Sequence, residues 1–236
     1  MKPYSCITSC LFALALVAGC ASTEVTERQE YKGGKLPRPN HIWVYDFAAT
    51  PAEVPANSAL AGKPVEHPTP QTPEQIATGR QVGEQIAAQL VEEFRGMGLP
   101  AMRGSSGTKP EINDLVIRGY LLSIDEGDAT KRVAVGFGSG ASQLSVAAEG
   151  FQMTAQGLRK LGGGKGQSGG GKTPGGAVGV AGMIATGNPV GLIVGGGVKA
   201  YGEYSGSAKI EGRAKETAKL IAETVKPKFQ EQGWIQ

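Results

Sequence analysis

The chain holds few residues that could do covalent chemistry, and their spacing suits it poorly. Only two histidines occur, His41 and His67. His41 opens a β-branched and aromatic run, and His67 lies beside Glu66 in a proline-rich stretch. Neither stands in a His-x-x-x-His or similar metal-ligand spacing. No Gly-x-Ser-x-Gly nucleophile elbow is expected. Asp125, Glu126 and Asp128 cluster after an apolar run, which is the pattern of a solvated turn. Gly166 to Lys172-Thr173 has the letters of a phosphate-binding loop. That loop needs a buried strand before it and a helix directly after it. Here Arg159, Lys160 and a glycine run come before, and Pro174-Gly175-Gly176 follows. Gly136-Phe137-Gly138-Ser139-Gly140 stops short of a dinucleotide turn, because position 141 is Ala. The expectation is a non-enzymatic chain with no catalytic residue, no cofactor and no metal site.

The clearest chemical signal is at the N-terminus. Lys2 is followed by an apolar run, Ile7 to Val17, and then by Val17-Ala18-Gly19-Cys20. A charged start, an apolar core and small residues at a cleavage point are the parts of an export signal. The run is shorter than the ~20 apolar residues of a membrane-spanning helix. A cysteine directly after the small residues resembles a bacterial lipobox, so Cys20 is the expected lipid attachment site. Cys6 and Cys10 lie inside the signal. Processing would leave Cys20 as the only cysteine, with no thiol for catalysis or for zinc. Ala21 follows the cysteine, where the resemblance to enteric-type lipoproteins implies that an Asp would retain the protein at the inner membrane. The expected place is the periplasmic face of the outer membrane.

Composition narrows the classes further. Among 236 residues, Lys and Arg number 24 and Asp and Glu 21, a net charge of +3. Nucleic acid is not an expected partner, since a binder carries a strong basic patch. Glycine supplies 37 residues, against a usual ~7% of a chain.

The elements follow from periodicity and punctuation. Residues 1–19 are read as the signal, 20–40 as a lipidated N-terminus and tether, and 41–236 as one domain. His41 to Ala48 reads as a strand. Thr72-Pro73-Glu74-Gln75 reads as a capping box with Pro at the first helical position. The stripe Val82, Ile86, Leu90, Phe94, Met97 continues that helix. Gly79 and Gly83 cost helix propensity, about 1 kcal/mol each, so they point to a close neighbour. Leu99 to Met102 is a short strand. Ile112 to Asp125 is apolar on both faces, as a central strand is. Gln143 to Leu158 is a further strand with a phase slip at Gly150, where a bulge would absorb it. The stripe Ile210, Ala214, Ala218, Ile221, Val225, Phe229 marks a closing helix, with Pro227 near its end. Phe94…Gly98-Leu99 and Phe229…Gly233-Trp234 echo each other.

The stretch 157–206 holds 19 of the glycines and reads as an excursion before the closing helix. Lys172 and Lys199 bracket a wholly uncharged run in which Gly187, Gly191 and Gly195 are spaced as a glycine zipper. Small residues at that spacing let helices approach closely. Two readings stay open: a compact loop over the domain, or a hairpin that oligomerises or inserts into the membrane.

Several of these motifs, in order, resemble one family. They are the strand ending Asp46-Phe47, Gly79-x-x-x-Gly83 in a helix ending Phe94…Gly98, and Val135-Gly136-Phe137-Gly138-x-Gly140. Gly187-Asn188-Pro189-x-Gly191 and the closing Phe229…Gly233-Trp234-Ile235 complete the set. The chain is similar in these places to bacterial lipoproteins with domain of unknown function 4410. The resemblance implies an envelope lipoprotein and carries no catalytic residues. The expected fold is α/β: four or five strands, two helices on one face, and the glycine-rich excursion. The expected role is a binding or structural module of the cell envelope. Its partners would be the membrane, through the lipid, and an unidentified envelope protein or further copies of itself.

Overall fold

The computed structural model describes residues 22–59, 61, 72–125, 143–169, 193–194 and 207–236. Cys20, His67, Glu126, Asp128, the glycines at 136–140 and Gly187, Gly191 and Gly195 lie outside the described residues.

Helix α1 spans Pro73–Gly96. The Thr72 hydroxyl accepts from the Gln75 N–H, and the Gln75 side chain accepts from the Thr72 N–H at 2.9 Å. Two of the unpaired donors at the helix start are met this way. Val82, Ile86, Leu90 and Phe94 are buried, as the stripe requires. The closing helix, α2, spans Ser207–Glu231 and keeps Pro227 inside it.

The sheet contains strands β1 (Ser22–Gln29), β2 (Ile42–Val44), β3 (Ala101–Arg103), β4 (Leu115–Asp125), β5 (Gln143–Thr154), β6 (Gly157–Gly169) and β7 (Ile193–Val194). Their order is β1-β6-β5-β4-β2-β3, with β7 pairing β4. β2 runs parallel to β3 and β4, so β2, α1 and β3 form a βαβ unit. β4, β5, β6 and β1 follow antiparallel. β4 is central and buried on both faces, as its composition requires.

The α/β class holds, but among the described residues the sheet has seven strands rather than four or five. Two corrections account for most of the difference. The first part of the glycine-rich stretch is β6, hydrogen-bonded to β5 on one side and β1 on the other. Glycine has no side-chain preference for strand, so only the two neighbouring ladders make 157–169 extended. Ser22–Gln29, within the stretch read as a tether, is the edge strand β1. Its sequence, Ser-Thr-Glu-Val-Thr-Glu-Arg-Gln, lacks the apolar alternation that marks a half-buried strand. The expected strand 143–158 also ends early, turning into β6 after Thr154. The irregularity does fall at Gly150, but the extra residue is Leu161 on β6. Gly150 pairs Gly162, and Phe151 pairs Lys160.

One core lies between the sheet and both helices. Leu90 and Phe94 of α1, Ala218 and Phe229 of α2, and Leu121 and Val146 of the sheet belong to it. The Phe94 and Phe229 rings meet edge-on at 5.6 Å. The repeated Phe…Gly sequence is a repeated helix end. Leu99 N–H donates to the Phe94 carbonyl at 3.1 Å and Trp234 N–H to the Phe229 carbonyl at 2.9 Å. Gly98 and Gly233 take φ of 78° and 76°, the left-handed conformation this cap needs.

Candidate functional site

Three places bring polar or open chemistry together. The first is Asp114, fully buried just before β4. Its carboxylate accepts from the Glu111 N–H at 2.9 Å, the Trp43 indole N–H at 2.9 Å and the His41 N–H at 3.1 Å. The His41 ring Nδ1 lies 3.2 Å away. His41 and Trp43 therefore serve one buried acceptor. Sequence reasoning missed Asp114, two of whose donors, Trp43 on β2 and His41 just before it, lie over 70 residues away.

The second is on the sheet face opposite the helices. Glu149 is buried on β5. It accepts from the Lys160 ammonium at 2.6 Å, the Tyr120 hydroxyl at 3.0 Å and the Ala59 N–H at 3.0 Å. Burial alone would push its pKa up. Hydrogen bonds from Lys160, Ser58 and Ala59 outweigh that and hold it below the usual carboxylate value. Burial pushes the Tyr120 phenol strongly up, so it stays a donor. A lone Glu inside an apolar strand was the available signal.

The depressed pKa makes a testable statement. The stabilisation by Glu149 is present above its unfolded pKa and is lost as pH falls through its folded one. Glu149→Gln should therefore lower the melting temperature clearly at about pH 7 and by less at about pH 3, below the usual carboxylate pKa. An equal loss at both pH values would show that the charge contributes nothing.

The third place is a cavity of about 240 Å³ between β6 and the C-terminal half of α2. Side chains alternate along β6. Ser168 faces α2, its hydroxyl 2.9 Å from that of Thr217, so Gly166 and Gly164 face α2 as well. Near Ser168 the helix presents Ala214 and Ala218, and small residues meet small residues. Farther along, the helix-facing glycines leave space that a branched side chain would fill. Ile117, Val146, Leu161, Ile221, Val225 and Phe229 wall it. At the rim the Glu30 carboxylate bridges two cations, Arg28 at 2.9 Å and Lys228 at 3.1 Å. The Lys228 hydrogen bond holds the Glu30 carboxyl below its usual value.

The sequence-read motifs resolve simply where they are described. Gly166–Gly169 is strand, not a loop over a phosphate. Against the expectation of no such motif, Gly166-Gln167-Ser168-Gly169-Gly170 has the letters of Gly-x-Ser-x-Gly. Ser168 is buried within β6 against Thr217, not raised on a turn. The Trp234 indole N–H donates to the Leu36 carbonyl at 3.1 Å. Among the described residues no group of three His, Cys, Asp or Glu could hold a metal ion. Nor is any described helix long and apolar enough to cross a membrane.

The family model described as domain of unknown function (DUF4410) matches residues 42–187, well over half of the chain. This chain belongs to the DUF4410 family. The match takes in β2 through β6, so Asp114 and Glu149 are both within the DUF4410 region, while β1 and α2 lie outside it. No curated protein matches the chain. Two solved structures of PelC dodecamers from Paraburkholderia phytofirmans align with it. A point variant in space group C2 shows 10% identity over 86% of this chain and 97% of that one, with a TM-score of 0.37. The form in space group P6 shows 11% identity over 85% and 96%, with a TM-score of 0.39. At scores this low the dodecamer is a property of PelC and carries nothing over to the DUF4410 chain.

Proposed function

We propose that this chain is an outer-membrane lipoprotein, held on the periplasmic face by acyl chains on Cys20. In this reading it acts as a non-enzymatic binding or structural module of the envelope. The observation that carries the binding role is the apolar cavity under α2, roofed by a helix and rimmed by charge. The buried polar side chains Asp114, Glu149 and Ser168 support the structural half of the reading, because each is engaged in hydrogen bonds that join elements. The lipobox-like sequence supports the anchor. β1 begins two residues after Cys20, so a lipid there would bring the sheet edge close to the bilayer. Stable anchoring takes more than one acyl chain, as a lipoprotein cysteine carries.

Membrane fractionation of wild type and Cys20→Ala, with intact mass measured, tests the reading. Wild type should carry the mass of its acyl chains and sediment with the outer membrane. Cys20→Ala with its signal removed should appear in the soluble periplasm. Wild type without acyl mass would overturn the proposal. A cleaved Cys20→Ala protein that stays with the membrane would shift the anchor to another segment, such as 173–198.

A further inference from the structure

We propose that the cavity under α2 binds one linear acyl chain bearing an anionic head. The inference deepens the binding half of the function proposed above and rests on it. Three observations carry it. The cavity is about 240 Å³ and walled by aliphatic and aromatic side chains. A dry apolar cavity of ~150 Å³ already takes up a benzene-sized ligand, so this one has room for a longer apolar group. Gly164 and Gly166 share one face of β6 and line the cavity along the strand beneath the helix, where no side chain interrupts it. A slot bounded by a strand and a helix suits an extended chain better than a compact ring system.

The rim supplies the head-group chemistry. Glu30 places one carboxylate oxygen on Arg28 and the other on Lys228. An internal carboxylate thus already sits between two cations at the cavity mouth. An acyl ligand with an anionic head would find the same two donors where its chain leaves the cavity. Glu30 and the ligand head would then compete for one seat. Glu231 holds the other side of Lys228 at 2.8 Å and keeps the ammonium at the rim.

The test is photolabelling of the full-length protein in isolated outer membranes with a diazirine analogue of palmitate. Adducts are mapped by peptide mass spectrometry. The result expected is adducts on Leu161–Gly166 and on 220–234. Ala148→Leu, which fills the cavity from β5, should reduce them on the order of tenfold, the size of a few displaced methylenes. Glu30→Gln should raise labelling by about threefold and Lys228→Gln should lower it similarly, as one exposed charge pair would. The methyl ester of the probe should respond to Ala148→Leu but to neither rim variant.

Competition by unlabelled palmitate or by lysophosphatidylglycerol tells a free fatty acid from a membrane lipid as the source. Adducts spread over exposed faces, or unchanged in an Ala148→Leu protein of normal melting temperature, would overturn the proposal. Equal responses of acid and ester to the rim variants would overturn its anionic head. The label is read at cavity peptides whatever anchors the protein. Cavity adducts on a chain without acyl mass would therefore sink the lipid anchor alone.

Discussion

Asp114→Ala should destabilise the fold by about 3 kcal/mol, the loss expected when three hydrogen-bond donors lose their shared acceptor. The carboxylate is fully buried and accepts from two backbone N–H groups and an indole N–H. Alanine would leave the N–H groups of His41, Glu111 and Trp43 without this acceptor in a part-buried place. Each stranded donor costs about 1–3 kcal/mol. The loss would act where β2 joins the sheet, since His41 precedes β2 and its carbonyl accepts from Leu115 N–H at 2.9 Å. Asp114→Asn keeps one oxygen and should recover part of the stability. Urea denaturation of wild type and both variants measures this. A loss under about 1 kcal/mol for Asp114→Ala would mean that solvent reaches these donors and that the cluster is not a structural anchor.

The second large effect is a contrast within α1. Gly83→Ala should destabilise by about 2 kcal/mol or more, whereas Gly96→Ala should stabilise by about 0.5–1 kcal/mol. The substitution and the helix are the same. A Cβ at Gly83 would run into the backbone carbonyl of Phe47, which cannot rotate away. Phe47 N–H also donates to the Gly83 carbonyl at 3.3 Å, so the loop after β2 is clamped to the helix at this point. A Cβ at Gly96 meets nothing within 4 Å. There only helix propensity and the entropy of the unfolded chain matter. Thermal melts of the two variants beside wild type decide it. Equal and favourable shifts would show that α1 sits farther from Phe47 than the structure places it.

This contrast shows which kind of fact is legible in a sequence. Two glycines in the middle of an amphipathic stripe reduce helix propensity, and a close neighbour is the usual compensation. The sequence therefore points to a close approach at Gly79 and Gly83. It does not say that the neighbours are Ala49 and Phe47, which arrive from a loop after β2. Asp114 is less legible still. It looks like an ordinary acidic residue after a turn, and its role exists only once His41 and Trp43 are beside it. Glu149 gives a partial signal as a lone charge in an apolar strand, but Lys160 and Tyr120 reach it only through the pairing of three strands.

Local chemistry by itself determined α1, from the capping box at Thr72 to the left-handed Gly98. It also determined the central place of β4 and the amphipathic face of α2. Those features rest on periodicity, capping and side-chain type, which act over a few residues. Only the tertiary structure decided that a glycine run is the strand β6 and that the polar stretch 22–29 pairs with it. Glycine and polar residues carry no strand preference strong enough to declare themselves, and a ladder needs its partner. The cavity belongs to the same class. It comes from missing side chains on one element facing a helix more than fifty residues later, and that juxtaposition is a property of the packed chain.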